Sequence, residues 1–171
     1  MTEFYLRELK HSDAKKINEW RNSADLIDLL GAPFRYISES VDEDWIINYY
    51  RNRANCVRLA ICSRLDDDIV GAVYLLNIDW ISRRCEFAIW IGEPQARGRG
   101  IGRYATVSAL KHAFNDLNLN SVYLDVLERN EVAKSLYEKV GFRVDGVRRQ
   151  AVYKNGEYLS LINMSILKAE F

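Results

Sequence analysis

The sequence predicts an α/β domain built on a mixed, mainly antiparallel β-sheet flanked by about four helices, and three observations carry that prediction. Strand-like and helix-like segments alternate along the chain, without an internal repeat or low-complexity tract. In the middle, Val57 to Cys62, Ile69 to Ile78 and Cys85 to Ile91 are rich in β-branched and aromatic residues. They are separated by Asp66-Asp67-Asp68 and Ser82-Arg83-Arg84, as the strands of an antiparallel meander would be. Near the end, Asn155-Gly156 lies between Val152-Tyr153 and Tyr158-Leu159, the signal of a tight hairpin between two terminal strands. With 171 residues, 49% of them hydrophobic, the chain suffices for one core and is short for two, so one domain over residues 1–171 is expected.

Phe4 to Leu9 alternates apolar and polar residues and reads as the first strand; Ser12-Asp13 then offers capping oxygens to a helix carrying Ile17 and Trp20. The pattern breaks around Gly31-Ala32-Pro33, and Asp42 to Arg53 resumes helical spacing through Trp45, Ile46, Tyr49 and Tyr50. After the meander comes Gln95-Ala96-Arg97-Gly98-Arg99-Gly100-Ile101-Gly102, followed by a helix whose apolar stripe runs through Ile101, Ala105, Ala109 and Ala113. Val122 to Leu127 is a further strand. Asn130 then precedes a short helix with Ala133, Leu136, Tyr137 and Val140 on its inner face, ended by Gly141.

Composition narrows the function classes. Twenty-four Lys and Arg balance 24 Asp and Glu, so the surface as a whole is not built to grip nucleic acid or an anionic membrane. A charged fraction of 28% and only 2 prolines exclude a disordered chain. Cys56, Cys62 and Cys85 form no C-x-x-C pair and read as reduced, buried thiols of a cytosolic protein. Met1 to Lys10 lacks the apolar run of a signal peptide, and no later segment is apolar enough to span a bilayer.

The glycine loop is the most informative chemical feature. Glycines at 98, 100 and 102 let the backbone approach a ligand closely, while the following helix directs free amides and the positive end of its dipole at an anion. Arg97, Arg99 and Arg103 add cationic donors. The spacing is neither G-x-x-x-x-G-K-[ST] nor G-x-G-x-x-G, which disfavours a nucleotide hydrolase or a dehydrogenase.

Two motifs together carry a family resemblance. Gln95-x-x-Gly98-x-Gly100 follows a strand ending Ile89-Trp90-Ile91, and Asn130-x-x-Ala133-x-x-x-Tyr137-x-x-x-Gly141-Phe142 follows later. The chain in this respect resembles the GNAT superfamily of N-acetyltransferases. Arg83-Arg84-Cys85-Glu86-Phe87 and the tail from Gly141-Phe142 through Asn155-Gly156-Glu157-Tyr158 to Met164 are similar to the branch holding ribosomal-protein and spermidine N-acetyltransferases. The resemblance implies a splayed sheet with acetyl-CoA wedged between two central strands and its pyrophosphate on the loop and helix beginning near Gly98. By that implication the cofactor-binding residues are Ile89, Trp90, Ile91, Gln95, Arg97, Gly98, Arg99, Gly100, Ile101, Gly102, Arg103, Asn130, Lys134 and Tyr137, the first three through backbone groups. A homo-oligomer is common among the relatives, and nothing in the sequence sets its stoichiometry.

Acetyl transfer to an amine needs a neutral nucleophile, a held carbonyl and a proton for the departing thiolate. Tyr137 suits the last task, since a phenol of pKa about 10 stays protonated at neutral pH. Its spacing with Ala133, Leu136 and Val140 fits plain packing equally well, and the resemblance favours the acid. Glu86 interrupts an apolar strand, as a general base would, or is an edge carboxylate paired with Arg83 or Arg84. Asn130 is a helix cap on its own spacing and a pantetheine contact by resemblance. The run Glu39, Asp42, Glu43, Asp44 could draw in a cationic amine or simply begin a helix. No metal is expected, because His11 and His112 suggest no ligand cluster, and no covalent relay, because no cysteine accompanies a histidine in the motif region. The acceptor implied is a small-molecule or peptide amine, a spermidine-like polyamine first, with a protein N-terminal amine or an amino sugar as alternatives. The rival from another class is a non-catalytic domain that senses acyl-CoA.

Overall fold

The structure, a computed structural model, describes residues 3–171. Seven strands form one sheet in the order β1-β2-β3-β4-β5-β7-β6. They are β1 (Phe4–Glu8), β2 (Val57–Ser63), β3 (Ile69–Asp79), β4 (Arg84–Ile91), β5 (Ser121–Leu127), β6 (Arg143–Lys154) and β7 (Glu157–Leu167). The helices are α1 (Ala14–Arg21), α2 (Ala24–Asp28), α3 (Glu39–Arg51), α4 (Ile101–Lys111) and α5 (Glu131–Val140). Short α2 is the element the sequence pattern does not announce. It is capped by Ser23, whose Oγ accepts from Leu26 N–H, and it buries Leu26 and Ile27.

All strand pairs are antiparallel except β4 with β5, which run parallel. The meander and the terminal hairpin form as expected. Asn155 and Gly156 both take positive φ, 50° and 88°, the conformation that a two-residue turn matched to strand twist requires. Gly141 ends α5 at φ 115° in the left-handed region, again as its sequence position suggests. Asp13, by contrast, does not cap α1: it accepts from Lys10 N–H at 2.7 Å and pairs with Arg7 at 2.8 Å.

Side-chain alternation divides the interior into two cores, one on each face of the sheet. Cys85 and Phe87 of β4 join Val122, Leu124 and Val126 of β5 in the core covered by α4 and α5, with Ile89 and Ile91 packed against it. Leu76, Ala88 and Trp90 pack instead with Ala72 and Tyr74 in the core covered by α1 and α3, built on Ile17, Trp20 and Ile46. Trp20 meets Trp90 edge-on, with ring centroids 5.7 Å apart, and fixes the outer end of β4. The strand passes so close that a Cβ at Gly92 would stand 2.1 Å from the Trp20 ring. Cys62 and Cys85 are buried, Cys56 is partly exposed, and all three are free thiols.

Candidate active site

The central feature is a parallel pair that comes apart. β4 and β5 pair only at Arg84, Cys85 and Glu86, against Ser121, Val122 and Tyr123, and diverge beyond them. Main-chain groups alternate between the two edges of a strand. The Arg83 carbonyl accepts from Asn120 and Ser121 on the β5 side, whereas Gly92 N–H donates to Val70 of β3. Odd-numbered residues therefore turn toward β5 and even-numbered ones toward β3. Past the divergence Ile89 turns both main-chain groups toward the gap and Ile91 its N–H, the Ile91 carbonyl being taken by Arg97, while the main-chain groups of Trp90 belong to the β3 ladder. Trp90, expected to offer backbone like its two neighbours, instead has its main chain in the β3 ladder and its side chain in the core under α1 and α3, where it also lines the adjoining cleft.

A cleft of about 480 Å³ occupies the gap. Glu86, Ile89, Trp90, Asn130 and Tyr137, named from the sequence, line it, and so do Arg21, Trp45, Tyr74 and Asp125, which were not. Tyr137 is 7% exposed, stacked edge-on to Phe87 with centroids at 6.1 Å and tilted against Phe142 at 5.7 Å. Its hydroxyl has no hydrogen-bond partner among the described residues, and burial pushes the phenol well above its ordinary value, so it stays a proton donor. Tyr74, also in the wall, is pushed up to about 12 by burial, partly offset by the hydrogen bond from Trp90 Nε1 at 3.3 Å.

Glu86 is not paired with Arg83 or Arg84. Asn77 Nδ2 donates to its Oε2 at 2.8 Å, and Arg84 goes to Asp79 instead, at 3.7 Å. Asn77 reaches it from a bulge in β3, where the register shifts between Leu76 and Asp79 and Asn77 takes φ 51°. Glu86 thus faces the cleft without an ion pair among the described residues. The charges of its neighbours are matched: Arg21 pairs with wholly buried Asp42, and Arg148 pairs with Asp125.

The glycine loop follows the end of β4 and is tied to it by Arg97, which donates to the Ile91 carbonyl. Gly98 and Gly100 take φ 76° and 77°, and a Cβ on either would meet nothing within 4 Å. The backbone conformation requires glycine there, and the space before the α4 N-terminus is open, as an anion held by free amides needs. Gly102 serves a different end: its Cβ would lie 3.1 Å from Leu136, so it lets α4 close on α5. Gln95 does not belong to this loop. It faces a separate polar hollow of about 610 Å³ beside Asp13, Lys16 and Asp66 to Asp68. The same spacing moved two residues on, Arg97-x-x-Gly100-x-Gly102, fits the geometry better, since Gly100 caps α4 and Arg97 donates to the Ile91 carbonyl at 3.2 Å. Arg99 is turned away to Glu3 at 2.6 Å, and Arg103 has no partner among the described residues. Ile101 is buried as the first residue of α4, and Lys134 lies 3.9 Å from Glu131 on α5.

Asn130 fills the structural role assigned by its spacing, its Oδ1 accepting from Ala133 N–H at 3.1 Å. Its Nδ2 donates to the Leu29 carbonyl at 3.0 Å, which ties the cap of α5 to the segment after α2. The acidic run disperses. Asp42 turns inward, accepting from Asn18 at 2.8 Å and from Arg21, and none of Glu39, Asp42, Glu43 and Asp44 lines the cleft. Among the described residues no three metal-ligating side chains converge, and no helix is long and apolar enough to cross a membrane.

A strand gap with unpaired backbone, an open glycine turn at a helix N-terminus beside it, and a buried phenol in its wall together define a CoA-dependent acyltransferase. Residues 3–143 match the family described as acetyltransferase (GNAT) domain, and the chain belongs to that family. It is 30% identical over 166 residues to a spermidine N(1)-acetyltransferase of Vibrio cholerae, spanning 97% of this chain and 94% of that one. It is also 32% identical over 106 residues to a ribosomal N-acetyltransferase-like protein of Bacillus subtilis, spanning 62% and 57%. The solved structure of spermidine N-acetyltransferase from Vibrio cholerae in complex with CoA and spermine superposes with a TM-score of 0.89 at 27% identity, covering 98% of this chain and 97% of that one.

Proposed function

We propose that this chain transfers the acetyl group of acetyl-CoA to a primary amine of a polyamine, within one domain and without a metal, in the cytoplasm. The carrying observation is Glu86, a carboxylate facing the cleft with no cation paired to it among the described residues while every other charge in the walls named above is matched. An uncompensated carboxylate in a partly desolvated cleft attracts a cation and disfavours an anion. The similarity to spermidine N-acetyltransferases along nearly the whole chain supports the same reading.

Acetyl-CoA supplies the activated acyl group, and the chain's own residues do the rest. Gly98, Gly100 and the first amides of α4 hold the pyrophosphate, with Arg103 free to add charge. Ile89 and Ile91 present backbone groups to the pantetheine arm and acyl carbonyl in the manner of an added strand. Glu86 removes a proton from the incoming ammonium, directly or through water, and Tyr137 gives its proton to the departing thiolate. Gln95 and Arg99, both turned toward the second hollow, are left out of this assignment. A dodecameric structure of a Vibrio cholerae spermidine N-acetyltransferase, TM-score 0.84 at 27% identity, supports a homo-oligomer here as well.

Release of free thiol from acetyl-CoA, followed across spermidine, spermine, peptides with free N-termini and amino sugars, tests the reading. Spermidine or spermine is expected to give the highest kcat/KM. Turnover confined to peptides would move the acceptor to a protein N-terminus, and binding without turnover on any amine would leave a sensing domain.

A further inference from the structure

Asp125 is a second carboxylate in the cleft wall, and its surroundings mirror those of Glu86 across the divergence of β4 and β5. Glu86 lies opposite Tyr123, and Asp125 is two residues further along β5, so both carboxylates project from the same face of the sheet. Each is steadied by an asparagine amide from the next strand outward. Asn77 of β3 donates to Glu86 Oε2 at 2.8 Å, and Asn163 of β7 donates to Asp125 Oδ1 at 3.0 Å. The Tyr123 phenol lies within the field of both, pushed up by burial first and by the Glu86 and Asp125 charges after it.

The difference lies in the remaining oxygen. On Glu86 it has no partner among the described residues, whereas on Asp125 the Oδ2 accepts from Arg148. Arg148 itself is poorly anchored. It stands on edge strand β6, its side chain is 58% exposed, and it begins the irregular stretch where the register of β6 on β7 shifts between Arg148 and Val152. A guanidinium so placed can leave its carboxylate at little cost, because an exposed ion pair is weak.

We propose that Asp125 is the anchor for the second ammonium of a polycationic acceptor and that Arg148 is its stand-in, neutralising Asp125 until the acceptor takes its place. Glu86 then receives the reacting amine and Asp125 the next one along the same chain, which makes the pair a device for preferring di- and polyamines over monoamines. The inference rests on the polyamine reading above.

The test compares kcat/KM for spermidine with that for butylamine, and titrates spermine calorimetrically into the CoA-free protein, in wild type, Asp125→Asn and Arg148→Gln. Asp125→Asn, isosteric and still able to bond Asn163, is expected to lower the spermidine-to-butylamine selectivity about 10-fold to 100-fold and to weaken spermine binding by a similar factor, the range of a lost charge-assisted contact. Arg148→Gln is expected to raise the selectivity and tighten spermine binding a few-fold, mainly through KM. Selectivity unmoved by both substitutions overturns the inference while leaving the polyamine reading intact. A tighter spermine complex in Asp125→Asn overturns it as well. A wild-type enzyme that acetylates peptides and no polyamine overturns both.

Discussion

The two edges of β4 serve opposite purposes. Along β3 the strand is paired from Glu86 to Ile91 in unbroken register, and the fit is so close that a Cβ at Gly71 would lie 2.5 Å from the Trp90 carbonyl. Along β5 the same strand is paired at three positions and then abandoned. An open strand edge is ordinarily a liability, since unsatisfied backbone groups invite adventitious pairing. Here it lies beside a cleft lined by Asn130, Ala133 and Tyr137, with Arg97 of the glycine loop on the Ile91 carbonyl at the strand's end, and a segment of ligand with amide groups of its own can complete it. On the proposed function one strand carries stability on one side and chemistry on the other, and substitutions on the two sides should separate along that line.

The largest effect is expected on the open side. Tyr137→Phe keeps the ring contacts to Phe87 and Phe142 and removes a hydroxyl that has no partner among the described residues, so kcat is expected to fall about 10²-fold to 10⁴-fold with little change in acetyl-CoA affinity or melting temperature. The pH profile sharpens the assignment. The protonated phenol is the active form, and burial raises its pKa, so rate loss from phenol ionisation belongs above the ordinary value of about 10 and not below it. An alkaline limb near pH 8 that vanished in Tyr137→Phe would contradict the burial argument. On the closed side, Gly71→Ala forces a methyl onto the Trp90 carbonyl. It is expected to cost about 1–3 kcal/mol in denaturant unfolding and to lower the melting temperature by about 3–10 °C, with the residual folded enzyme keeping its acceptor preference.

Much of this division is legible in the sequence, because it depends on local signals. The meander, the Asn155-Gly156 turn, the Gly141 stop and the inner face of α5 follow from periodicity and backbone preference, and Tyr137 sits on that face. Glycines with positive φ could be expected where they stand, although the register of the motif could not: with glycines at 98, 100 and 102, two readings of one spacing coexist, and only the position of the α4 cap decides between them. The sequence is silent where long-range pairing decides. Asp42 looks like one member of an acidic run and proves to be a buried latch, because Arg21 and Asn18 arrive from α1. The asparagine that holds Glu86 comes from a bulge, and Asp125 gains its place only because β5 parts from β4. A hint did exist: Ser121, Tyr123 and Asp125 are the polar positions of an otherwise apolar strand, and period-two alternation puts them on one face.

The central claim is that the unpaired edge of β4 is where CoA binds, and amide hydrogen exchange along that strand, read residue by residue by NMR, tests it most directly. Ile89 and Ile91 are expected to exchange faster than Trp90 in the free protein, because their N–H groups face the gap while that of Trp90 faces β3. Saturation with CoA should slow Ile89 and Ile91 and leave Trp90 nearly unchanged. Equal protection of all three in the free protein, or no slowing of Ile89 and Ile91 with CoA, would contradict the account.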